Sequence, residues 1–331
     1  MKKINKMLLL ALLGITLLFI TTGCQRSETS ETSETDAVTS TSAPTQAETE
    51  SRNVQEESGT RIVSTVMGDI EVPANPKRVL VDYIVGDVVA MGVKPIALST
   101  LDTDLEGTAF EKEVEGLEYI GWGYDPETVM ALEPDLIILS WSDEGYEELS
   151  KIAPTIYIPY GEMTTEERVM LVGEALNKAE EARQVLNDFD TKVEQSIQSL
   201  KDAGVYDKFV TVAQYSNGQA YVAGNKHAVG RLLYDTMGFP VLEKVQTDII
   251  DADKYWGDIS LEVFPEYVGD YFIHLGDYPE DWETNEIINS IPTMKEGKTF
   301  TLNTQLTWYS DIYSASALVD KITSQLIALA K

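Results

Sequence analysis

Large aromatic side chains recur at positions where strand-like runs of the sequence end. Tyr83 directly follows the apolar run 78–82, and Trp141 comes two residues after the apolar run 135–139. Indole and phenol rings combine a broad apolar surface with a hydrogen-bonding group, so a cleft lined by them suits a bulky, partly apolar ligand. For any single ring, burial in the core is the alternative, and the recurrence at strand ends is what favours a cleft. We therefore expect the ligand-binding residues to include these two together with Trp122, Tyr124, Tyr215, Trp256, Trp308 and Tyr309.

Cationic side chains near this aromatic set are few. The segment NKHAVGR contains Lys226, His227 and Arg231, which we include among the candidate ligand-binding residues. For Arg231 the alternative is a solvent-exposed position on a helix. The second histidine, His274, lies inside an apolar run and is expected to be a satisfied core residue. Zinc and manganese sites need several histidines with carboxylates, so two histidines do not support a directly bound metal.

Motifs for catalysis are absent from the sequence. It contains no phosphate-cradling glycine loop, no Gly-x-Ser-x-Gly elbow and no His-Glu-x-x-His pair. The acid pairs Glu147-Glu148 and Glu166-Glu167 are adjacent, and adjacent side chains on a helix point apart, which is typical of solvated faces. We predict a binding protein without a cofactor rather than an enzyme; a purely adhesive surface lipoprotein is the alternative.

The charge balance limits the partners. The 331 residues include 55 acidic and 25 basic side chains, for a formal net charge of −30. Nucleic acid binding relies on clustered Lys and Arg against phosphates, so nucleic acid is excluded as a partner. A polyanionic ligand is also disfavoured unless a few cations are concentrated at one place.

The N-terminal segment indicates export. Residues 1–23 contain three lysines and then an apolar run that ends in small residues, the pattern of a signal peptide. The only cysteine, Cys24, follows directly, and this arrangement resembles the lipobox of bacterial lipoproteins, which implies a lipid on Cys24. Residues 25–58 are rich in Ser, Thr and Glu and predict a disordered tether. We expect a protein anchored on the extracytoplasmic face of a membrane, and the long tether suggests a Gram-positive cell.

Strands alternate with helical patterns through the rest of the chain. Strand-like runs occupy 78–82, 94–98, 135–139 and 155–159, with helical segments at 83–92 and 125–132 between them. This alternation favours parallel βαβ units and predicts a first α/β lobe over residues 59–163. The region 164–204 is helical, and within it residues 179–202 carry an apolar stripe that predicts one helix about 36 Å long. Strands and helices then alternate again, which predicts a second α/β lobe over residues 205–331.

The order of these pieces is similar to that of a known class of receptors. The matching segments are NPKRVLVDYIVGDVVAMGVKPIAL (75–98), ETVMALEPDLIILSW (127–141), AYVAGNKHAVGRLLYDTMGF (220–239), ISLEVFPEYVGDYFIHL (259–275) and TWYSD (307–311). In this order they resemble the substrate-binding lipoproteins of iron-siderophore and vitamin B12 ABC importers. The resemblance implies an α/β fold of two Rossmann-like lobes joined by one long rigid helix, the class III periplasmic binding protein fold, with the ligand between the lobes.

The same resemblance implies how the protein meets its transporter. One acid on each lobe pairs with arginines of the permease, and the ETVMALEPDLI pattern places the first on Glu127. The second follows LLYDTMGF, where the chain offers Glu243. For Glu127 a first-turn acid that complements the helix dipole is the alternative. The implied partners are two membrane permease subunits driven by a cytoplasmic ATPase, and we expect the receptor itself to be a monomer.

The ligand that this class and these residues imply is a ferric siderophore, most simply of the hydroxamate type. Ferric hydroxamates are neutral or weakly cationic, so a strongly acidic protein does not repel them, whereas ferric catecholates require several cations. Several hydroxamate binders carry Trp-Gly-Arg where this chain has Lys226, His227 and Ala228, and here a guanidinium could come from Arg231 instead. Haem, through His227, cobalamin and a ferric catecholate remain alternatives.

Overall fold

The structure is a computed structural model that describes residues 59–99, 105–121, 124–216, 218–282 and 284–331. The predicted signal peptide, Cys24 and the predicted tether lie outside the described residues, and so does Trp122. An antiparallel hairpin of β1 (Thr60–Thr65) and β2 (Gly68–Pro73) opens the described chain. This hairpin was not among the predicted elements.

The first sheet is parallel throughout, with the strand order β4-β3-β5-β6. Its strands are β3 (Val79–Asp82), β4 (Leu98–Ser99), β5 (Leu136–Leu139) and β6 (Thr155–Tyr157), and its helices are α1 (Val85–Ala90), α2 (Pro126–Ala131) and α3 (Tyr146–Leu149). Every residue of β3 and β5 is buried, because helices cover both faces of a parallel sheet. The run 94–98 was predicted as a strand, but only its last residue enters β4. Pro95, which has no backbone N–H to donate, lies in that run.

Two helices follow the first sheet, α4 (Thr165–Leu176) and α5 (Ala179–Asp202). Thr164 begins α4 with a reciprocal capping box to Glu167. The bounds of α5 agree with the helix predicted from the apolar stripe, and α5 packs against α4 and against the last helix of the chain. Helix α5 therefore connects the two sheets as one uninterrupted segment.

The second sheet is mixed, with the strand order β11-β10-β7-β8-β9. Its strands are β7 (Val210–Ser216), β8 (Gln219–Ala223), β9 (Trp256–Ser260), β10 (Tyr271–Leu275) and β11 (Thr299–Leu302). Strands β7, β10 and β11 are parallel, whereas β8 is antiparallel to both of its neighbours. The antiparallel part was not predicted. Strand β8 follows β7 through a short turn at Gly218, whose φ is +77°, and such a turn makes the two strands antiparallel.

Short helices connect the strands of the second sheet, and a long helix closes the chain. They are α6 (Ala228–Arg231), which continues as a π-helical turn over Leu232–Thr236, α7 (Glu243–Val245) with a second π-helical turn over Gln246–Ile250, a 3-10 turn at Phe264–Tyr267, α8 (Glu286–Ser290), α9 (Pro292–Lys295), α10 (Thr304–Trp308) and α11 (Ile312–Leu329). Among the described helices, none combines the length and apolarity needed to cross a bilayer.

Candidate functional site

A cavity of about 270 Å³ lies between the two sheets, where strands of both sheets end. Six aromatic side chains line it: Tyr83, Trp141, Tyr160, Tyr255, Trp256 and Trp308. The first three follow β3, β5 and β6 of the first sheet, and the others come from the second lobe. Carboxyl ends of parallel strands meet at one edge of a sheet, which is where ligands of open α/β folds bind. The cavity therefore has the place and the lining of a ligand site.

Tyr83 is held at this edge by its backbone and by its hydroxyl. It follows β3 with a φ of +46°, a conformation uncommon for a residue with a side chain. Its ring lies 5.1 Å from the Trp141 ring and meets the Tyr160 ring edge-on at 4.8 Å. Burial, followed by the neighbouring Tyr160, raises the pKa of Tyr83 above its ordinary value, so the phenol keeps its proton at neutral pH. It acts as a hydrogen-bond donor.

Tyr160 and Tyr255 were not among the predicted residues, and both line this cavity. The Tyr160 hydroxyl is 3.1 Å from Ser310 Oγ and 3.4 Å from the Tyr83 hydroxyl. Burial and a hydrogen bond with Tyr160 raise the pKa of Tyr255. Tyr160 directly follows the predicted strand 155–159, so the rule that identified Tyr83 would also have found it. Tyr255 directly precedes the predicted Trp256.

Two tryptophans present their rings to open space. Trp141 is 43% exposed and Trp308 is 46% exposed, which is high for side chains that usually bury most of their surface. Trp141 lies 5.1 Å from the Tyr160 ring, whereas Trp256 lies 4.5 Å from the His227 ring. These rings are available to stack on a bound molecule.

His227 lines the same cavity and is a neutral hydrogen-bond donor. It begins α6, and its Nδ1 accepts a hydrogen bond of 3.2 Å from the backbone N–H of Val229. Burial lowers the pKa of His227 to about 4. A neutral ring whose Nδ1 accepts carries its proton on Nε2.

A second cavity of about 250 Å³ adjoins the first and shares Tyr160 and Tyr255 with it. Its cationic lining residues are Arg168, Lys226 and Arg231. Lys226 forms an ion pair of 2.6 Å with Asp253, and Arg168 pairs with Asp87 at 2.6 Å. Arg231 donates from Nε to the carbonyl of Asn225 at 3.4 Å and forms no ion pair with a described residue. Arg231 is therefore the guanidinium with capacity for an incoming acceptor.

Three of the predicted aromatic residues do not line the cavity between the sheets. Tyr215 donates to Asp281 at 3.0 Å and packs edge-on against Trp282, on the other face of β7. Its neighbour Gln214 lines the cavity instead, since successive side chains of a strand point to opposite faces. Tyr309 is buried behind Tyr83. Tyr124 lines a different cavity.

That third cavity, of about 840 Å³, lies in the first lobe at the carboxyl ends of β3 and β5. Asp82, the last residue of β3, lines it together with Tyr124 and Trp141. Burial raises the pKa of Asp82 to about 7, although it accepts hydrogen bonds from the backbone N–H groups of Ser140 and Trp141. Trp141 separates this cavity from the one between the sheets, because it lines both.

Several other predictions concern side chains outside the cavities. His274 is buried; its Nε2 accepts from the Tyr215 N–H at 3.1 Å and its Nδ1 is 3.0 Å from the Gly276 carbonyl, which confirms a satisfied core histidine. Glu127, in the first turn of α2, and Glu243, in the first turn of α7, are exposed, and neither forms an ion pair with a described residue. Within the described ranges, no three His, Cys, Asp or Glu side chains are grouped to hold a metal ion.

Comparisons with known proteins agree with this architecture. The family model described as periplasmic binding protein matches residues 110–306. The iron(3+)-hydroxamate-binding protein YxeB of Bacillus subtilis is 28% identical over 85% of this chain and 89% of its own length. The iron(3+)-hydroxamate-binding protein FhuD of the same organism is 26% identical over 78% and 84%. The solved FhuD protein from S. pseudintermedius has a TM-score of 0.69 at 22% identity, over 83% of this chain and all of that chain. The predicted fold class is confirmed.

Proposed function

The chain belongs to the periplasmic binding protein family, and we propose that it captures a ferric siderophore of the hydroxamate type for an ABC importer. The observation that carries this proposal is the cavity between the sheets, to which both lobes contribute aromatic rings. The names of the relatives YxeB and FhuD, which describe iron(3+)-hydroxamate binding, support the same class of ligand. Family membership supports a binding role rather than catalysis.

The chemistry of the cavity suits an iron that is already chelated. The raised pKa values of Tyr83 and Tyr255 keep these phenols protonated, which disfavours binding of the metal as phenolates. Indole rings cover the apolar arms of the chelate. This cavity and the one beside Arg231 share their tyrosine walls, and together they reach the size of small-molecule pockets, roughly 300 to 1,000 Å³.

The charges of the site favour a hydroxamate over a catecholate. A ferric catecholate carries several negative charges and needs several uncompensated cations. Two of the three cationic residues beside the cavity are already paired with carboxylates, Lys226 with Asp253 and Arg168 with Asp87. Arg231 alone supplies one guanidinium for hydroxamate oxygens. A chelate of low charge is thus the better match.

The structure gives less support than the sequence did to haem as the ligand. An imidazole must present an unprotonated nitrogen to bind haem iron, but Nδ1 of His227 already accepts from Val229 and the proton is on Nε2. His227 instead carries an N–H donor among the residues that line the cavity. Cobalamin needs no such ligand, and a titration with cobalamin distinguishes it from a ferric hydroxamate.

Delivery to the membrane is part of the proposal. Exposed carboxylates at Glu127 and Glu243 are placed on the two lobes and would pair with arginines of permease subunits served by a cytoplasmic ATPase. A lipid on Cys24 would hold the receptor, as a monomer, at the extracytoplasmic face of the membrane, as in lipoproteins with one Cys after the signal.

Quenching of tryptophan fluorescence tests the ligand class. Trp141, Trp256 and Trp308 line the cavity, so a bound ligand should quench their fluorescence. Titrations with a ferric trihydroxamate, a ferric catecholate, haem and cobalamin should show the tightest binding for the trihydroxamate. The iron-free hydroxamate is the control and should bind more weakly. Tighter binding of the catecholate, of haem or of cobalamin would overturn the hydroxamate assignment, and no binding of any of the four would overturn the receptor function.

A further inference from the structure

The cavity wall includes a short segment from Trp308 to Ile312, which we call the wall segment. It joins the end of α10 to the start of α11. Trp308 lines the cavity between the sheets, and Ser310 lines the cavity beside it. Trp308 is 46% exposed, so packing restrains its ring less than the ring of a buried side chain. The course of the backbone therefore decides where the indole stands.

Groups of the first lobe hold the wall segment at both of its ends. Tyr83 follows β3, and its hydroxyl donates a hydrogen bond of 2.7 Å to the carbonyl of Trp308. Asp87 lies in α1, and its Oδ1 accepts a hydrogen bond of 2.8 Å from the backbone N–H of Ile312. Since one bond holds each end, the two bonds together fix both the position and the direction of the segment.

Asp87 is a firm acceptor because it is itself held on both sides. Its side chain is fully buried, and its Oδ2 accepts a hydrogen bond of 2.6 Å from Nε of Arg168. Arg168 belongs to α4, so two helices fix the carboxylate that receives the N–H of Ile312. Hydrogen bonds to an ionised acceptor are stronger than those between neutral groups. The wall segment is therefore attached to a rigid part of the first lobe.

The residue before Asp87 sets how closely α1 and the wall segment approach each other. A Cβ atom at Gly86 would lie 1.9 Å from Oδ1 of Asp311 and 2.3 Å from its Cγ. Asp311 is buried and caps α11, accepting from the N–H of Ser314 at 2.7 Å. Non-bonded heavy atoms stay roughly 3 Å or more apart, so any larger residue at position 86 would displace Asp311 by about 1 Å.

We propose that Gly86 and Asp87 are positioning residues of the ligand site, which set the wall segment against α1 and so direct the Trp308 indole into the cavity. Neither residue lines the cavity between the sheets or the one beside it. Their effect on a ligand therefore passes through the wall segment. The inference rests on the proposed function and deepens it, since it names residues outside the cavity that determine affinity for the ferric chelate.

Two crowded glycines provide a matched test. Gly86→Ala displaces the wall segment, whereas Gly173→Ala, whose Cβ would lie 2.5 Å from Ala182 Cβ, crowds α4 against α5 instead. Both substitutions should lower stability. Only Gly86→Ala should weaken binding of a ferric trihydroxamate, by about tenfold, which corresponds to the loss of one well-placed contact. Equal affinities in the two variants would overturn the positioning role.

The fluorescence of Trp308 gives a readout that needs no ligand. Its contribution is the difference between each protein and the same protein with Trp308→Phe. Acrylamide quenching of this contribution should change in Gly86→Ala and match the wild type in Gly173→Ala, because only the first substitution moves the indole. Unchanged quenching in Gly86→Ala would contradict the inference. If the wild-type protein binds no ferric chelate, the proposed function fails, while this quenching still tests the positioning role.

A second pair of variants applies if Gly86→Ala does not fold. Arg168→Met with Asp87→Asn keeps an acceptor for the Ile312 N–H, whereas Arg168→Met with Asp87→Ala removes it. Both variants lack the buried ion pair, and apolar replacement of such a pair is often tolerated. The variant with Asn should bind the ferric trihydroxamate about fivefold more tightly than the variant with Ala, the value of one hydrogen bond. Equal binding by this pair would remove Asp87 from the positioning role.

Discussion

The hydroxyl of Tyr83 donates a hydrogen bond of 2.7 Å to the backbone carbonyl of Trp308. Tyr83 follows the central region of the first sheet, whereas Trp308 ends α10 after the last strand of the second sheet. The bond therefore connects the two lobes directly at the edge of the cavity. Its acceptor is a main-chain group, so it persists whatever side chain stands at position 308.

Tyr83→Phe should lower the free energy of unfolding by about 1 kcal/mol, the usual net contribution of such a hydrogen bond. The ring and its contacts with Trp141 and Tyr160 would remain, so the loss isolates the hydroxyl. Urea unfolding measures the change. Tyr157→Phe is the control, because the Tyr157 hydroxyl forms no hydrogen bond that the structure describes, and it should have little effect. Equal losses in both variants would contradict the interlobe role.

Trp308→Ala should weaken binding of the ferric trihydroxamate by roughly 1 to 3 kcal/mol, because it removes an exposed indole from the cavity wall while leaving the carbonyl that Tyr83 needs. Isothermal titration calorimetry is the measurement, since it does not depend on the missing fluorophore. Trp282→Phe, in the aromatic core of the second lobe next to Tyr278, should leave the affinity unchanged. An unchanged affinity in Trp308→Ala would remove this residue from the site.

Glu127→Ala with Glu243→Ala should abolish uptake of radioactive ferric siderophore by cells and leave the affinity of the isolated protein intact. Both carboxylates are exposed and far enough from the cavity that neither lines it. The control is Glu147→Ala with Glu286→Ala, which removes two other exposed acids from the first turns of short helices and so matches the change in helix electrostatics. Normal uptake by the Glu127 and Glu243 variant would refute the docking assignment.

Stability should depend on pH through a buried cluster where α1, α4 and α11 meet. Asp87 pairs with Arg168 and accepts a hydrogen bond of 2.8 Å from the N–H of Ile312, next to Asp311. Burial, followed by the negative charge of Asp87, raises the pKa of Asp311 to about 7. In the unfolded chain the same carboxyl ionises near 3.8, so between about pH 4 and 7 the folded state binds more protons. The stability that this group contributes is complete below pH 4 and falls as the pH rises to 7.

Asp311→Asn should remove that dependence. The free energy of unfolding of the variant minus that of the wild type should increase by on the order of 2 kcal/mol from pH 5 to pH 8, because only the wild-type protein loses stability over this range. Urea unfolding at each pH measures both values. Asn can still accept from the Ser314 N–H and cap α11. Asp125→Asn changes another helix cap, but hydrogen bonds from Thr128 lower the pKa of Asp125, so its difference from wild type should stay constant over this range. A constant difference for Asp311→Asn would show that its carboxyl does not titrate there.

Local patterns in the sequence were sufficient for much of the fold. The apolar stripe of residues 179–202 predicted α5 with the bounds that the structure has, because one face of this helix must pack against α4 and α11. The aromatic residues after β3 and β5 were also predicted correctly to lie at the edge of a parallel sheet. Tyr160 was missed although it follows β6 in the same way.

The choice between neighbouring residues required the tertiary structure. Tyr215 and Gln214 are adjacent in β7, and no local pattern indicated which of them faces the cavity and which faces Trp282. Tyr309 and Trp308 are adjacent in the same way, yet only Trp308 lines the cavity, because Tyr309 fills the space between Tyr83 and Phe110.

By itself, the sequence determined the alternation of strands and helices, the helix that joins the two lobes, the excess of acidic residues and the supply of aromatic rings, since these depend on residues close together in the chain. Only the tertiary structure decided that Tyr83 meets Trp308 across 225 positions of sequence, and that aromatic side chains of both lobes line one cavity. Such contacts depend on how two separately formed sheets pack together, and side-chain periodicity carries no information about that packing.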